Sequence, residues 1–116
     1  MKTRRSAGVR RGDVCWVALD PAIGTEIQKT RPAIVVSNDA MNRFGLRVIV
    51  VPVTGNVDRC FPGEAMVTIK GKPARALGDQ LRSIDKIRLR GRLDRLSRAE
   101  MNALDEALAV SLSLNL

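Results

Sequence analysis

Short apolar runs separated by turn residues dominate the pattern of the chain. Three runs that are rich in β-branched residues and bounded by Gly, Pro, Asn or Asp predict three strands, over residues 14–17, 33–36 and 46–53. Weaker strand signals follow at 66–69, 75–78 and 83–84. Because the strands are short and no long helical pattern lies between them, we expect an antiparallel barrel or a strongly bent sheet.

The strongest helix signal lies near the C-terminus. Ser97 and Glu100 have the spacing of a capping box, in which each side chain bonds the backbone amide of the other residue. An apolar stripe at helical spacing follows and is predicted to be core or a dimer seam: Met101, Leu104, Leu108 and Leu112. One helical turn is also predicted over 39–44, with Asp39 as its N-cap and Gly45 at its end.

The 116 residues have the length of a single domain. Residues 1–11 have almost no apolar side chains and predict a flexible basic arm, whereas residues 12–116 predict one folded domain. The longest uncharged apolar run, 48–53, is far shorter than the roughly 20 residues of a membrane-spanning helix. No membrane partner is therefore expected.

Two absences restrict the chemistry. The chain has no His and no Tyr, so it cannot form a Ser-His-Asp triad, a Cys-His dyad, a paired-imidazole ribonuclease site or a histidine metal site. Any catalysis must use Arg, Lys, carboxylates or hydroxyls.

The charge balance predicts an anionic partner. The formal net charge is +8. Residues 1–12 carry a charge of +5 and residues 70–95 carry +6, while the two remaining stretches are weakly acidic. Fifteen of the 20 cations are Arg, which suits bidentate phosphate binding, although a solvated basic face explains the same charge. Trp16, Phe44 and Phe61 are the only aromatic residues, so we expect phosphate contacts rather than a base-stacking platform.

The two cysteines predict a reducing compartment. No secretory signal opens the chain and neither thiol has a second Cys or a His at metal-ligand spacing, so a cytoplasmic protein is expected. Cys15 lies in an apolar run and is predicted to be a core residue, and Cys60 lies in a polar stretch. Neither has an activating base that would make it a nucleophile.

Two polar residues at strand ends are candidates for chemistry. Arg31 precedes Pro32, which removes a ladder donor and holds Arg31 extended at the start of the second strand. Thr54 ends the third strand, shortly after Pro52. Each also has an ordinary explanation, because an Arg at a strand start often forms a salt bridge and a Thr at a strand end often forms a turn.

A set of short motifs occurs in order along the chain: Gly12-Asp13, Asp20-Pro21, Gly24, Glu26, Lys29-Thr30-Arg31-Pro32, Val35-Val36-Ser37-Asn38, Val51-Pro52-Val53-Thr54 and Asp79-Gln80-Leu81-Arg82-Ser83-Ile84-Asp85. In this order and spacing, from about residue 12 to residue 108, the chain resembles the MazF/PemK toxins of bacterial toxin–antitoxin modules. Each motif alone is unspecific, whereas the ordered set is a strong signal.

The resemblance implies a dimeric SH3-like small antiparallel β-barrel with a C-terminal helix. It also implies a sequence-specific endoribonuclease that cuts single-stranded RNA, stops translation and is inhibited by an acidic, MazE-like antitoxin. Members cut RNA without a metal, so neither a metal ion nor another cofactor is expected. The catalytic Arg and Thr of the family correspond here to Arg31 and Thr54. Many members have a Ser after that Thr, but this chain has Gly55, which removes one hydroxyl contact to the phosphate.

Such chemistry needs no protein nucleophile, because the RNA 2′-hydroxyl attacks the adjacent phosphorus and leaves a 2′,3′-cyclic phosphate and a 5′-hydroxyl. Arg31 and Thr54 are predicted to bind the scissile phosphate. Glu26 is the candidate base for the 2′-hydroxyl proton, with a salt bridge to Lys29 or Arg31 as the alternative role. The predicted RNA-binding residues are Lys29, Gln80, Arg82, Lys86 and Arg88.

Two other functions fit the same fold. A gyrase poison like CcdB has this barrel, but that activity relies on an exposed C-terminal Trp segment, and this chain ends Ser111-Leu112-Ser113-Leu114-Asn115-Leu116. A non-catalytic basic barrel that binds RNA or DNA is the second alternative.

Overall fold

The computed structural model describes residues 8–19 and 30–115. Seven strands and two α-helices form its regular structure: β1 (Asp13–Ala18), β2 (Thr30–Val35), α1 (Asp39–Phe44), β3 (Arg47–Thr54), β4 (Glu64–Ile69), β5 (Lys72–Leu77), β6 (Arg82–Asp85), β7 (Leu89–Arg95) and α2 (Arg98–Leu112). Single 3-10 turns lie at Gly78–Gln80 and Lys86–Arg88.

The strands form one curled antiparallel sheet. Its order is β4-β5-β3-β2-β1-β7, and β6 also pairs with β3. The long strand β3 pairs with β6 through its first half and with β5 through its last two residues. This curled half-barrel with a C-terminal helix confirms the predicted mainly-β barrel fold.

Both faces of the central strands are buried, in two separate apolar clusters. One cluster packs under β4, β5 and α2 and includes Ile34, Val51 and Leu104. The other lies on the opposite face and includes Ala33 and Val50. Because neighbouring strand residues point to opposite faces, burial of both faces requires a continuous apolar run rather than an alternating one.

The predicted capping box at the start of α2 is confirmed. The Ser97 hydroxyl accepts a hydrogen bond from the Glu100 amide, and the Glu100 carboxylate accepts one from the Ser97 amide. Leu104 is fully buried, whereas Leu112 is 48% exposed. The first part of the apolar stripe is therefore core, and its end faces outward.

Helix α1 covers the predicted residues 39–44, but its N-cap is the residue before the predicted one. Its N-cap is Asn38, whose side chain accepts from the Met41 amide, so the prediction of Asp39 as the cap is wrong. Asp39 instead accepts from the Arg11 amide and the Asn42 side chain, and these bonds hold the pKa of its carboxyl below the ordinary value.

Strand β7 was missed by the sequence analysis. Its residues belong to the basic stretch of the sequence. The strand has only two apolar residues, Leu89 and Leu93, and they pack against different apolar clusters. Its pairing with β1 also shifts register twice, which obscures the two-residue period.

Part of the predicted basic arm lies outside the described residues, namely 1–7. Arg11 is anchored to the domain, because its side chain donates to the Val36 carbonyl and pairs with Asp105 on α2. The division into an arm and one domain stays a prediction. Among residues 8–19 and 30–115, no helix is long and apolar enough to cross a membrane.

Candidate active site

Two prolines mark the point where the central sheet divides. The ladder between β2 and β3 covers only Ala33–Val35 and Val50–Pro52. Pro32 and Pro52 lack the amide hydrogen that a continuing ladder requires. Beyond them, the start of β2 remains paired with β1, and the end of β3 pairs with β5. The two strand ends thus belong to different parts of the sheet and leave an unpaired position between them.

Arg31 and Thr54 lie at this position. Arg31 and Thr54 each lie two residues beyond the last pair of the β2–β3 ladder, Ala33 and Pro52, where the two strands separate. Side chains alternate along a strand, so Arg31 projects on the same face as Ala33, and Thr54 on the same face as Val50. Ala33 and Val50 belong to one cluster, so Arg31 and Thr54 share a face. The structure therefore places the two residues predicted to be catalytic on one face, each two residues past the end of the β2–β3 ladder.

Both side chains have donors available for an anion. Arg31 is exposed, and among the described residues it has no hydrogen-bond or carboxylate partner. Thr54 is half-buried, and its hydroxyl oxygen accepts from the Asn56 amide at 3.2 Å, which leaves the O–H to donate. A planar guanidinium and a positioned hydroxyl on one face suit a phosphate group.

The remaining predicted site residues are distributed unevenly. Glu26 and Lys29 lie outside the described residues. Gln80 and Arg82 are exposed, and Arg82 pairs with Val50, so it projects on the face that holds Arg31 and Thr54.

Lys86 and Arg88 are held by the fold. The Lys86 ammonium donates to the Asn42 carbonyl, and the Arg88 guanidinium donates to the Ala18 carbonyl at 2.9 Å. Both side chains are half-buried. These bonds tie the 3-10 turn 86–88 to α1 and β1, so both cations have a structural role besides any contact with RNA.

A charged pair that was not predicted begins beside Thr54, with Arg75 on β5, and continues to Glu64 on β4. Arg75 is directly opposite Thr54 in the pairing of β3 with β5, and its guanidinium lies 3.6 Å from the Glu64 carboxylate. Both side chains are largely buried, at 14% and 10% exposure. The predicted strand over 75–78 contained Arg75, but only the register shows that it neighbours Thr54.

A cleft of about 1080 Å³ does not have Arg31 or Thr54 among its lining residues. Its lining comes mainly from the segments 8–9, 43–46 and 85–92, together with Asp13 and Cys15. Arg92 and Arg95 pair with the buried Asp13 carboxylate. Burial and the nearby Asp13 charge raise the pKa of the Cys15 thiol to about 11, so Cys15 is a core residue as predicted.

The chain is similar to known toxins in sequence and in structure. A sequence profile of PemK-like, MazF-like toxins of type II toxin–antitoxin systems matches residues 10–112. Endoribonuclease MazF9 of Mycobacterium tuberculosis is 44% identical, over 91% of this chain and 98% of the relative.

Two solved structures resemble the fold closely. One is an endoribonuclease in complex with its cognate antitoxin from a mycobacterial species, with a TM-score of 0.77, 25% identity and coverage of 94% and 99% of the two chains. The other is a MazE-MazF structure from Deinococcus radiodurans, with a TM-score of 0.75, 26% identity and coverage of 92% and 97%. The profile match and the 44% identity together show that the chain belongs to the PemK/MazF family of toxins of type II toxin–antitoxin systems.

Proposed function

We propose that this chain is a toxin that cuts single-stranded RNA at specific sequences, without a metal ion, and thereby stops translation. The observation that supports this most directly is the placement of Arg31 and Thr54 on one face where the sheet divides. Their chemistry agrees with the endoribonuclease activity in the name of the relative that is 44% identical.

In the proposed reaction the RNA supplies the nucleophile. The 2′-hydroxyl oxygen loses its proton and attacks the adjacent phosphorus, and the bond to the 5′ oxygen of the next nucleotide breaks. The departing 5′ oxygen takes up a proton from water, so the products are a 2′,3′-cyclic phosphate and a 5′-hydroxyl. The Arg31 fork stabilises the extra negative charge that develops on the phosphate oxygens, and the Thr54 hydroxyl donates to one of them. Glu26 is the proposed acceptor of the 2′-hydroxyl proton, with an ion pair to Lys29 or Arg31 as its alternative role.

The proposed partners are RNA and an acidic antitoxin. Arg82 and Gln80 are exposed on the approach to Arg31 and Thr54, and we assign RNA contacts to them, with Lys29, Lys86 and Arg88 completing the path. An antitoxin of opposite charge fits a chain of net charge +8, and a similar structure contains a cognate antitoxin. Because the proposed substrate is cellular RNA, we place the protein in the cytoplasm.

Two other functions were open at the level of sequence. These were a gyrase poison and a non-catalytic nucleic-acid-binding barrel. The relatives that match this chain are named endoribonucleases, and neither alternative finds support among them.

Cleavage of a long natural RNA in the presence of EDTA tests the proposal. We expect discrete fragments whose 3′ ends react with a ligase that needs a 3′-hydroxyl only after the cyclic phosphate has been opened and the phosphate removed, and whose 5′ ends accept phosphate from a polynucleotide kinase. Intact RNA after incubation with folded protein would refute the proposed function. Fragments that appear only when a divalent metal is added would refute the metal-independent mechanism.

A further inference from the structure

The segment from Gly55 to Gly63 follows Thr54 and is held by hydrogen bonds at each stage of its path. The Asn56 amide donates to the Thr54 hydroxyl, and the Asp58 amide donates to the Asn56 side chain. At the far end, the Gly63 carbonyl accepts from the Ser111 hydroxyl on α2. The carbonyl of Gly63 also lies so close to Gly78 that no Cβ fits there.

Arg75 and Glu64 hold the middle of this segment. The Arg75 guanidinium donates to the Arg59 carbonyl at 2.6 Å, and the Glu64 carboxylate accepts from the Phe61 amide at 3.0 Å. The Glu64 amide in turn donates to the Phe61 carbonyl. The Arg75–Glu64 ion pair therefore fixes the backbone on both sides of Cys60. We refer to the Arg75–Glu64 ion pair as the latch.

The latch places the segment on the same face of the sheet as Thr54. Arg75 is the cross-strand partner of Thr54, and opposite residues in an antiparallel pair project to the same side. Since the Arg75 side chain reaches the Arg59 carbonyl, the segment lies over that side. Glu64 begins β4, the next strand beyond β5, so the Phe61 backbone is held two strands away from Thr54.

An exposed aromatic side chain lies on this segment. Phe61 is 51% exposed, and the Arg59 guanidinium lies 5.7 Å from the centre of its ring. An aromatic face with an adjacent cation can stack on any nucleobase, and the cation also attracts the phosphate backbone. The latch keeps this pair in place before a ligand arrives, which reduces the entropy lost on binding.

We propose that Phe61 and Arg59 bind a nucleobase that neighbours the cut phosphate, and that Arg75 and Glu64 are positioning residues for this pair. The proposal rests on the RNA cleavage proposed above and adds a base-binding position to it. The sequence predicted phosphate contacts rather than a base-stacking platform. The proposal adds a single stacking ring, on the segment that the latch holds, and no platform on the sheet.

Replacing Phe61 with Leu tests the base-binding role, and the chain offers a matched control. Phe44 is also exposed, at 79%, with the Arg43 guanidinium 5.5 Å from its ring, but it is the last residue of α1 and lies near the opposite end of β3. The probe is a short RNA that contains the mapped cut site, carries a 2′-deoxy sugar there so that it binds uncut, and has 2-aminopurine at one position at a time. Stacking quenches the fluorescence of 2-aminopurine.

We expect one position beside the cut site to be quenched by the parent and by Phe44→Leu, but not by Phe61→Leu. With cleavable RNA, Phe61→Leu should raise KM by about 5- to 150-fold, while kcat stays within about threefold. Equal quenching and equal KM for Phe61→Leu and the parent would overturn the inference, as would equal losses in both Phe variants. A parent protein that cuts no RNA would instead refute the proposed function.

The positioning role has its own test. The double variant Arg75→Met, Glu64→Gln removes both charges of the latch together and so leaves no lone buried charge. A nitroxide attached to Cys60 reports the motion of the segment, because Cys60 is exposed and Cys15 is buried. We expect a more mobile nitroxide and a KM increase like that of Phe61→Leu, whereas Asp105→Asn, which removes a half-buried ion pair with Arg11 far from the segment in sequence, changes neither. An immobile nitroxide in a folded double variant, or an unchanged KM, would contradict this role.

Discussion

At the scale of single residues, the proposed site relies on the geometry of its donors. A guanidinium offers two parallel N–H groups that match two phosphate oxygens, whereas an ammonium offers a point charge. Thr54 adds a hydroxyl whose oxygen is already bonded to the Asn56 amide, so its hydrogen is directed elsewhere. Gly55 provides no second hydroxyl, which makes the Arg31 contact more important in this chain.

Replacing Arg31 with Ala should therefore slow RNA cleavage by about 10²- to 10³-fold, the usual cost of losing one transition-state donor. Arg31→Lys should restore little of the rate, because the bidentate geometry is missing. Single-turnover cleavage of a defined RNA measures both effects. Arg98→Ala, an exposed Arg at the start of α2, serves as the control and should cut at the parental rate. Cleavage by folded Arg31→Ala within fivefold of the parent would contradict the assignment.

At the scale of the elements, the position of the site follows from where the β2–β3 ladder stops. The two prolines and the apolar runs were visible in the sequence, so three central strands could be predicted and Arg31 and Thr54 were candidates, and the resemblance to the toxin family joined them as a catalytic pair. The register that places Arg75 beside Thr54 depends on contacts between residues distant in sequence, and no local pattern specifies it. Strand β7 was not predicted, because its arginines suggested a solvated surface.

The caps illustrate how local competition limits such predictions. Asn38 and Asp39 are both good N-cap residues, and the sequence does not decide between them. In the fold, the Arg11 amide donates to the Asp39 carboxylate, and the Asn38 side chain caps α1. A contact from 28 positions away thus determines the start of the helix.

Two aspartates that join elements should make stability depend on pH. Asp39 and Asp94 have pKa values below the ordinary 3.8, chiefly because backbone amides of Arg11 and Lys70, respectively, donate to them. A carboxyl whose pKa is lowered by folding stabilises the fold above its unfolded pKa, and this contribution is lost as the pH falls through the folded value. The free energy of unfolding should therefore fall as the pH drops below about 4.

Denaturant unfolding of the parent and of Asp94→Asn at about pH 6 and about pH 3 measures this effect. We expect the variant to be less stable than the parent at the higher pH and to approach it at the lower pH. An equal difference at both pH values would show that the Asp94 charge makes no such contribution.

At the scale of the whole molecule, the excess of Arg governs the approach of RNA. Arg82 is exposed on the face of the proposed site, whereas Lys86 and Arg88 also hold backbone carbonyls, so Arg82 is the better residue for testing electrostatics alone. Arg82→Ala should weaken binding of all single-stranded RNAs alike and flatten the dependence of log affinity on log salt by about 0.7. The cut site should not move. A shifted cut site would show that Arg82 reads bases.

The exposed apolar end of α2 favours a homodimer. Val110, Leu112 and Leu114 are each about half exposed, more apolar surface than a monomer usually leaves at one place. Light scattering should give a mass of twice 12.7 kDa at micromolar concentration, and Leu112→Asp should lower it toward that of one chain. A parent with the mass of one chain would contradict the dimer.

The central claim is that Arg31 and Thr54 act on the same phosphate, and a double-mutant cycle tests it most directly. Single-turnover cleavage rates of one RNA are measured for the parent, Arg31→Ala, Thr54→Ala and the double variant. Residues that stabilise one transition state act as a unit, so their effects do not add. We predict that the double variant cuts no more than about threefold more slowly than Arg31→Ala alone. Losses that multiply fully would show that the two residues act independently, and would contradict a single site where the sheet divides.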